Sequence, residues 1–160
     1  MKSLILIRHA KSSWQFNLED KKRPLTESGV QAIKKVSQLA DGLVSDPFSI
    51  WSSTAVRAKN TALLFCEALG FDVNTIVFKD DLYTFNEVAL EKQIKNCDNR
   101  INKLILFGHN EAITNFVNKF GDEYVFNVPT AGLVVLQFEE KEWAAIKNGK
   151  IIKTMFPKEI

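Results

Sequence analysis

Two stretches of this chain, a hundred residues apart, share one pattern. Leu4-Ile5-Leu6-Ile7-Arg8-His9 and Leu104-Ile105-Leu106-Phe107-Gly108-His109 each place four apolar residues, one further residue and then a histidine, and these are the only two histidines among the 160 residues. Apolar runs this short, without polar alternation, are those of strands buried on both faces. Such strands belong to parallel sheets covered by helices. Open α/β sheets hold their ligands at the carboxyl edge of the strands. The pattern therefore constrains both the fold and the place where chemistry can happen.

Helix and strand signals alternate along the rest of the chain. Thr26 offers an N-cap with Glu27 in the first turn. Val30, Ile33, Val36, Leu39, Ala40 and Leu43 then form an amphipathic stripe that should end near Gly42. Residues 48–53 read as a strand, followed by a helix capped by Ser53 or Thr54 and stopped at Gly70. Residues 75–78 read as a strand and 80–84 as a loop, and Thr84 or Asn86 caps a helix over 88–94. Asn110 is expected to cap a helix with Ile113, Phe116, Val117 and Phe120 inward, stopped by Gly121. Leu133–Phe138 reads as a strand, and residues 143–146 and 151–155 as a hairpin about Asn148-Gly149, which suits a type I′ turn. This order predicts an α/β fold: a three-layer α/β/α sandwich whose central sheet is mostly parallel, with antiparallel C-terminal edge strands. With no repeat and no linker composition, residues 1–160 read as one domain.

Composition narrows the function. Net charge is +2 with lysines spread along the chain, so there is no basic stripe for nucleic acid. The four-residue apolar run before Arg8 is too short for a signal peptide or a membrane span, which suggests a cytoplasmic protein with no membrane partner. Cys66 and Cys97 fall in helical patterns and read as free thiols. There is no CxxC pair and no carboxylate cluster, so no metal or other cofactor is expected.

A lone histidine after an apolar strand is ordinarily structural, as a lone arginine is ordinarily a surface residue. Here Arg8, His9 and His109 should share one rim of the sheet, and Arg57 lies in the first turn of the helix after Ser52-Ser53-Thr54. Two guanidinium forks beside two imidazoles suit a phosphate. Helix starts near Thr54 and Asn110 would add backbone donors. Lys11, Gln15 and Asn110 are candidate substrate-binding residues at the rim. Trp14 and Tyr83 would either line the entrance or cover the core, with Trp14 leaning to the core.

These residues resemble a family. Arg8-His9-Ala10 looks like the opening motif of the histidine phosphatase superfamily, whose third residue is usually glycine. Ser52-Ser53 followed by Arg57 and Thr61-Ala62 resembles its second motif, and Gly108-His109-Asn110 its third. Leu25-Thr26 with Gly29 matches the start of its first long helix. The likeness runs from residue 4 to about residue 138, and Leu-Ile-Arg-His-Ala-Lys-Ser-Ser-Trp is similar to the SixA branch of phosphohistidine phosphatases. The resemblance implies a phosphatase in which His9 is the nucleophile and forms a phosphohistidine. Arg8, Arg57 and His109 would hold the phosphoryl oxygens, without metal, and inorganic phosphate would be the product.

Two departures bear on the substrate. Where many members carry an asparagine six residues after the histidine, this chain has Gln15, which could still donate to a phosphate oxygen. Where many carry a glutamate as general acid, alignment on Leu82 puts Thr84; Glu87, Glu19 and Asp20 are nearby but read as solvated charges. An alkoxide leaving group benefits greatly from an acid, whereas protonated phosphohistidine departs as neutral imidazole. The missing acid therefore points to phosphohistidine in a phosphorylated protein. A phosphatase or mutase of a small phosphorylated metabolite, and a noncatalytic phosphate- or phosphoprotein-binding module, are the alternatives.

Overall fold

The computed structural model describes residues 1–45 and 47–160. Strands β1 (Lys2–Arg8), β2 (Ser49–Ser53), β3 (Val77–Lys79), β4 (Lys103–Gly108), β5 (Leu133–Phe138) and β6 (Lys150–Met155) form one sheet in the order β3-β2-β4-β1-β5-β6. Neighbours among β3, β2, β4 and β1 run parallel. β5 is antiparallel to β1, and β6 is antiparallel to β5. Helices α1 (Glu27–Leu39), α2 (Val56–Leu69), α3 (Glu87–Lys95) and α4 (Ala112–Phe120) cover the two faces.

Side chains alternate across a strand, and the core divides accordingly. Leu4, Leu6, Leu104, Leu106, Val134 and Leu136 pack with Leu90 and Ile94 of α3 and with Ile113, Phe116, Val117 and Phe120 of α4. Ile5, Ile7, Ile105, Phe107, Leu133 and Val135 pack with Ile33 and Val36 of α1 and with Ala62, Phe65 and Cys66 of α2. The expected three layers follow directly: positions 4–7 of β1 and 104–107 of β4 are all apolar because each face meets helices. Among the described residues no helix is long and apolar enough to cross a membrane. Cys66 and Cys97 are free, lie in opposite halves of the core, and are pushed by burial up to about 11. Cys97 lies just past α3 rather than within it.

Several local expectations are corrected. The segment 143–146 is not a strand. Trp143 opens a 3-10 turn and is fully buried, with its indole N–H donating to the Ile101 carbonyl at 2.7 Å and its main-chain N–H to Asn99 Oδ1 at 2.8 Å. The antiparallel partner of β6 is therefore β5. β3 starts at Val77, because a 3-10 turn over Val73–Thr75 takes up the residues before it. α1 stops at Leu39, and a separate 3-10 turn spans Asp41–Leu43. α2 is capped at Ala55 and α4 at Glu111, not at Ser53, Thr54 or Asn110. The three polar side chains expected as caps are engaged elsewhere: Ser53 with His109, Thr54 with Asp80, and Asn110 with Asn127 and Thr114.

The N-cap of α1 is as expected, with the Thr26 hydroxyl accepting from the Gly29 N–H at 3.0 Å. The same turn braces the segment after His9. The Lys11 carbonyl accepts from the Thr26 main-chain N–H at 2.9 Å, and a Cβ added at Gly29 would stand 2.4 Å from that carbonyl oxygen. Gly29 is thus required by the close approach of two backbones. Gly29→Ala should destabilise the protein by about 2 kcal/mol through overpacking, measured by urea unfolding; an unchanged midpoint and slope would contradict this contact.

Candidate active site

The register of the sheet brings the two histidines together. β1 pairs with β4 residue for residue from Ser3↔Lys103 to Arg8↔Gly108. One step further the His9 main-chain N–H donates to the Gly108 carbonyl at 3.0 Å, and the His9 and His109 rings stand 5.3 Å apart. β2 pairs with β4 up to Ser52↔Phe107, so Ser53 arrives level with the end of β4. Its hydroxyl lies 2.8 Å from His109 Nε2.

Hydrogen bonds constrain the ring protons. His9 Nδ1 lies 2.6 Å from the Ala10 carbonyl, which can only accept. Nδ1 therefore carries the proton, and Nε2 of the neutral ring keeps its lone pair. Ser53 Oγ already accepts from the Ala55 N–H at 3.2 Å. Ser53 Oγ still has its own proton and a second lone pair to offer His109 Nε2; in the tautomer that takes the Ser53 proton, neutral His109 carries its proton on Nδ1. Burial lowers the His9 pKa to about 4; the Ala10 hydrogen bond opposes this, and the charges of Arg57, Arg8 and Arg23 reinforce it. Burial, His9 and Arg57 lower His109 to about 3.

The arginines reach the same place from two elements. Arg8, the last residue of β1, donates from Nη1 to the Val128 carbonyl at 3.0 Å. Arg57, in the first turn of α2, is only 1% exposed. Its Nη1 donates to the Asp20 carbonyl at 2.5 Å and its Nη2 to Asp20 Oδ2 at 2.8 Å. Among the described residues, three buried side-chain polar atoms lack a partner: Arg8 Nε, Arg57 Nε and His109 Nδ1. Buried polar atoms are almost always satisfied. Three that are not, on residues gathered at one sheet edge and with His109 in its Nδ1–H tautomer, leave room for an acceptor-only ligand, which is an anion.

Several residues around this group carried no signal strong enough in the sequence. Asp20, in a loop of mixed charge that suggests solvation, instead meets Arg57, Arg23 and Tyr83. Burial alone would raise its carboxyl; hydrogen bonds from Tyr83 and Arg57, the Arg57 charge and Arg23 hold it well below the usual carboxylate range. Asp20 is thus an anion at working pH and cannot donate a proton. Arg23 is 6% exposed and also donates to Ser12 Oγ at 2.7 Å. Its i,i+3 spacing from Asp20 was the available clue. Tyr83 and Phe85 pack edge-on against His109, at 5.3 and 5.5 Å between centroids. Thr61 ties two motifs together: its hydroxyl accepts from the Ala10 N–H at 2.9 Å and donates to the Arg57 carbonyl at 2.7 Å.

The other rim candidates have partners of their own. Ser12 forms a bridge with Leu25, and the Ser13 N–H donates to the Pro24 carbonyl, which ties the start of the following loop to the residues before α1. Gln15 is exposed there, its main-chain N–H on Ser13 Oγ. Trp14 does not cover the core: it is 76% exposed and stacks over the Arg23 guanidinium at 3.5 Å. The exposed Lys11 lines a separate cavity of about 510 Å³ with Phe126, Pro129 and Phe156. Asn110 spans between helix and loop, donating to Asn127 Oδ1 at 2.8 Å and accepting from the Thr114 hydroxyl at 2.8 Å. It thereby steadies the loop whose Val128 carbonyl holds Arg8.

Comparison with known proteins gives the family and the fold. Residues 4–91 match the sequence family described as the histidine phosphatase superfamily (branch 1). A chain described as a SixA phosphohistidine phosphatase of Agrobacterium tumefaciens superposes with a TM-score of 0.78 at 25% identity, over 96% of this chain and 97% of that one. A protein histidine phosphatase SixA complexed with tungstate superposes with a TM-score of 0.82 over 98% of both chains, at 15% identity, a likeness of fold. An uncharacterised chloroplastic protein of Arabidopsis thaliana is 44% identical over 59 residues, which cover 36% of this chain and 27% of that protein's length.

The lowered imidazole pKa values predict that both rings are neutral at pH 6. Between the ordinary value of 6.5 and the folded values of about 4 and 3, the unfolded chain binds more protons than the folded one. Their contribution to stability is therefore complete above about 6.5 and is lost as the pH falls toward 4 and 3. Nitrogen-15 NMR of the imidazoles checks this directly; an imidazolium at either position at pH 6 would contradict it.

Proposed function

The chain belongs to the histidine phosphatase superfamily (branch 1), and we propose that it is a phosphatase that moves the phosphoryl group of a phosphorylated substrate to His9 and then to water. The reading is carried by the three unpartnered nitrogens on Arg8, Arg57 and His109 beside an imidazole whose Nε2 lone pair is free. In the first step Nε2 attacks phosphorus, and the bond to the leaving group breaks with its electron pair on the leaving atom. Arg8, Arg57 and the Nδ1–H of His109 hold the phosphoryl oxygens, whose charge is what phosphoryl transfer chiefly needs stabilised. The Ala10 carbonyl steadies the Nδ1 proton as His9 becomes cationic on phosphorylation. In the second step water attacks phosphorus, the P–Nε2 bond breaks, inorganic phosphate leaves and neutral His9 is restored. The arginines supply positive charge that a metal would otherwise provide.

The leaving group follows from the carboxylates. Asp20 reaches the site but stays ionised. Glu111 is exposed at the start of α4, where its charge acts on Arg8. Without a buried acid, a leaving group that needs no protonation by the enzyme is favoured, and phosphohistidine in a protein is the natural one. The surroundings support a macromolecular substrate. Trp14, Phe16, Leu18, Phe85, Tyr124 and Phe126 are exposed on the loops around the strand ends, where a partner surface would cover them.

His9→Ala should lower turnover of an aryl phosphate more than ~1000-fold while leaving the unfolding midpoint near that of the parent protein. Retained turnover would refute the nucleophile. Across aryl phosphates, log kcat/KM should fall steeply with leaving-group pKa, and a phosphohistidine protein should outrank alkyl phosphates. A flat dependence with preference for a free phosphorylated metabolite would favour the metabolite phosphatase. Phosphate binding without turnover of either class would favour a binding module.

A further inference from the structure

Asp20 meets Arg57, Arg23 and Tyr83, yet the reaction scheme above gives it no task. It sits on a 3-10 turn over Asp20–Lys22, outside the sheet, and its carboxylate is fastened from three sides. Oδ1 accepts from Arg23 Nε and Nη2 at 3.2 and 3.1 Å. Oδ2 accepts from Arg57 Nη2 at 2.8 Å and from the Tyr83 hydroxyl at 2.5 Å. Its main-chain carbonyl takes Arg57 Nη1. Both terminal nitrogens of Arg57 are thus engaged by one residue, and the Nε that remains is buried and unpartnered.

We propose that Asp20 is a positioning residue for phosphoryl transfer, clamping the two terminal nitrogens of Arg57 so that its Nε edge faces the transferring phosphoryl group. The inference rests on the phosphatase reading above and adds a residue to it. A guanidinium on three rotatable methylenes has many orientations, and only some present a donor edge to the phosphorus. Two bonds to one neighbour select among them. The same carboxylate fixes the hydroxyl of Tyr83, whose ring edge packs on His109, so a second phosphate donor is steadied by the same clamp. Asp20 also offsets the repulsion among Arg8, Arg23 and Arg57, each of which acts on His9.

A different role, in which Asp20 occupies the phosphate's place and must be expelled, fits the geometry less well. A carboxylate mimicking phosphate would take the Nε edge, which is the edge left open. Ties to Arg23 and Tyr83 also hold Asp20 independently of Arg57. The two roles predict opposite signs. A clamp removed costs activity, whereas a competitor removed raises it.

The test compares the parent protein, Asp20→Asn, Arg57→Lys and the double variant, reading kcat and KM with an aryl phosphate and affinity for inorganic phosphate and orthovanadate. Asp20→Asn keeps the volume and one acceptor but removes the charge. It should lower kcat/KM about 10- to 100-fold, the scale of a misplaced reacting geometry. It should weaken vanadate, the closer mimic of the transition state, more than phosphate. In the Arg57→Lys background the same substitution should change kcat/KM less than about twofold, because its effect passes through Arg57. Tyr83→Phe removes one tether of Oδ2, should give a smaller loss of the same sign, and replaces Asp20→Asn in the cycle if that variant does not fold. Activity equal to or above the parent's, or a loss that persists undiminished in the Arg57→Lys background, would overturn the proposal. If the parent hydrolyses nothing, the phosphatase reading fails separately, and the vanadate and phosphate affinities of the four proteins still decide the role of Asp20.

Discussion

The parallel, in-register pairing of β1 with β4 governs everything at the site. Because Arg8 is level with Gly108, the next residue of each strand is a histidine, and the two imidazoles leave the sheet side by side. The pairing is fixed by the core. Even-numbered positions of both strands face α3 and α4, odd-numbered ones face α1 and α2, and a slip of one residue would exchange every buried side chain between faces. Hydrophobic packing thus sets, to within one residue, the separation of the two imidazoles. The same sheet positions Ser53 through β2, and the residues after β2 start the helix that delivers Arg57.

Charge burial is the second constraint. Arg57 and His109 are almost wholly buried and His9 nearly so, beside Arg8 and Arg23. A cluster of cations of this density stands only if some groups give up their charge and others are paired. The histidines give up theirs, and the arginines are paired, two of them with Asp20 and Arg8 with a main-chain carbonyl. Among the described residues, Arg8 Nε, Arg57 Nε and His109 Nδ1 remain without a partner. An oxyanion at this sheet edge would complete that set, which is what the proposed phosphoryl transfer asks of it. The neutral state of His9 that this crowding enforces is also the state that can act as a nucleophile.

The parts legible in the sequence were those whose signal is local or repeated. The two apolar runs gave the strands, the alternation of elements gave the layers, and Thr26, Gly70 and Asn86 marked helix ends where each stands in the structure. Arg8, His9, Arg57 and His109 are legible because each lies at a strand end or shortly after one. The rest depended on contacts between residues far apart in the chain. Asp20 and Arg23 lie in a loop of mixed charge, and nothing local distinguishes a buried ion pair from two solvated charges. Ser53, Thr54 and Asn110 have cap chemistry, but tertiary partners outcompeted the helix starts for them. The type I′ turn expected at Asn148-Gly149 does not form, since neither residue has positive φ, and the preceding Trp143 fills a hole in the core instead of extending as a strand. Gln15 rests on counting from His9 alone, and it is exposed on the loop that follows the Ser12↔Leu25 bridge.

The central claim is that one imidazole, His9, takes the phosphoryl group on Nε2 while Nδ1 stays tied to the Ala10 carbonyl. It is tested most directly by quenching the enzyme during turnover and locating the bound phosphoryl group by peptide mass spectrometry and phosphorus NMR. The account predicts one acid-labile, alkali-stable phosphoryl group per chain, on Nε2 of His9. A phosphoryl group on His109, on Nδ1 of His9 or on a hydroxyl, or turnover with no covalent species at any quench time, would contradict it.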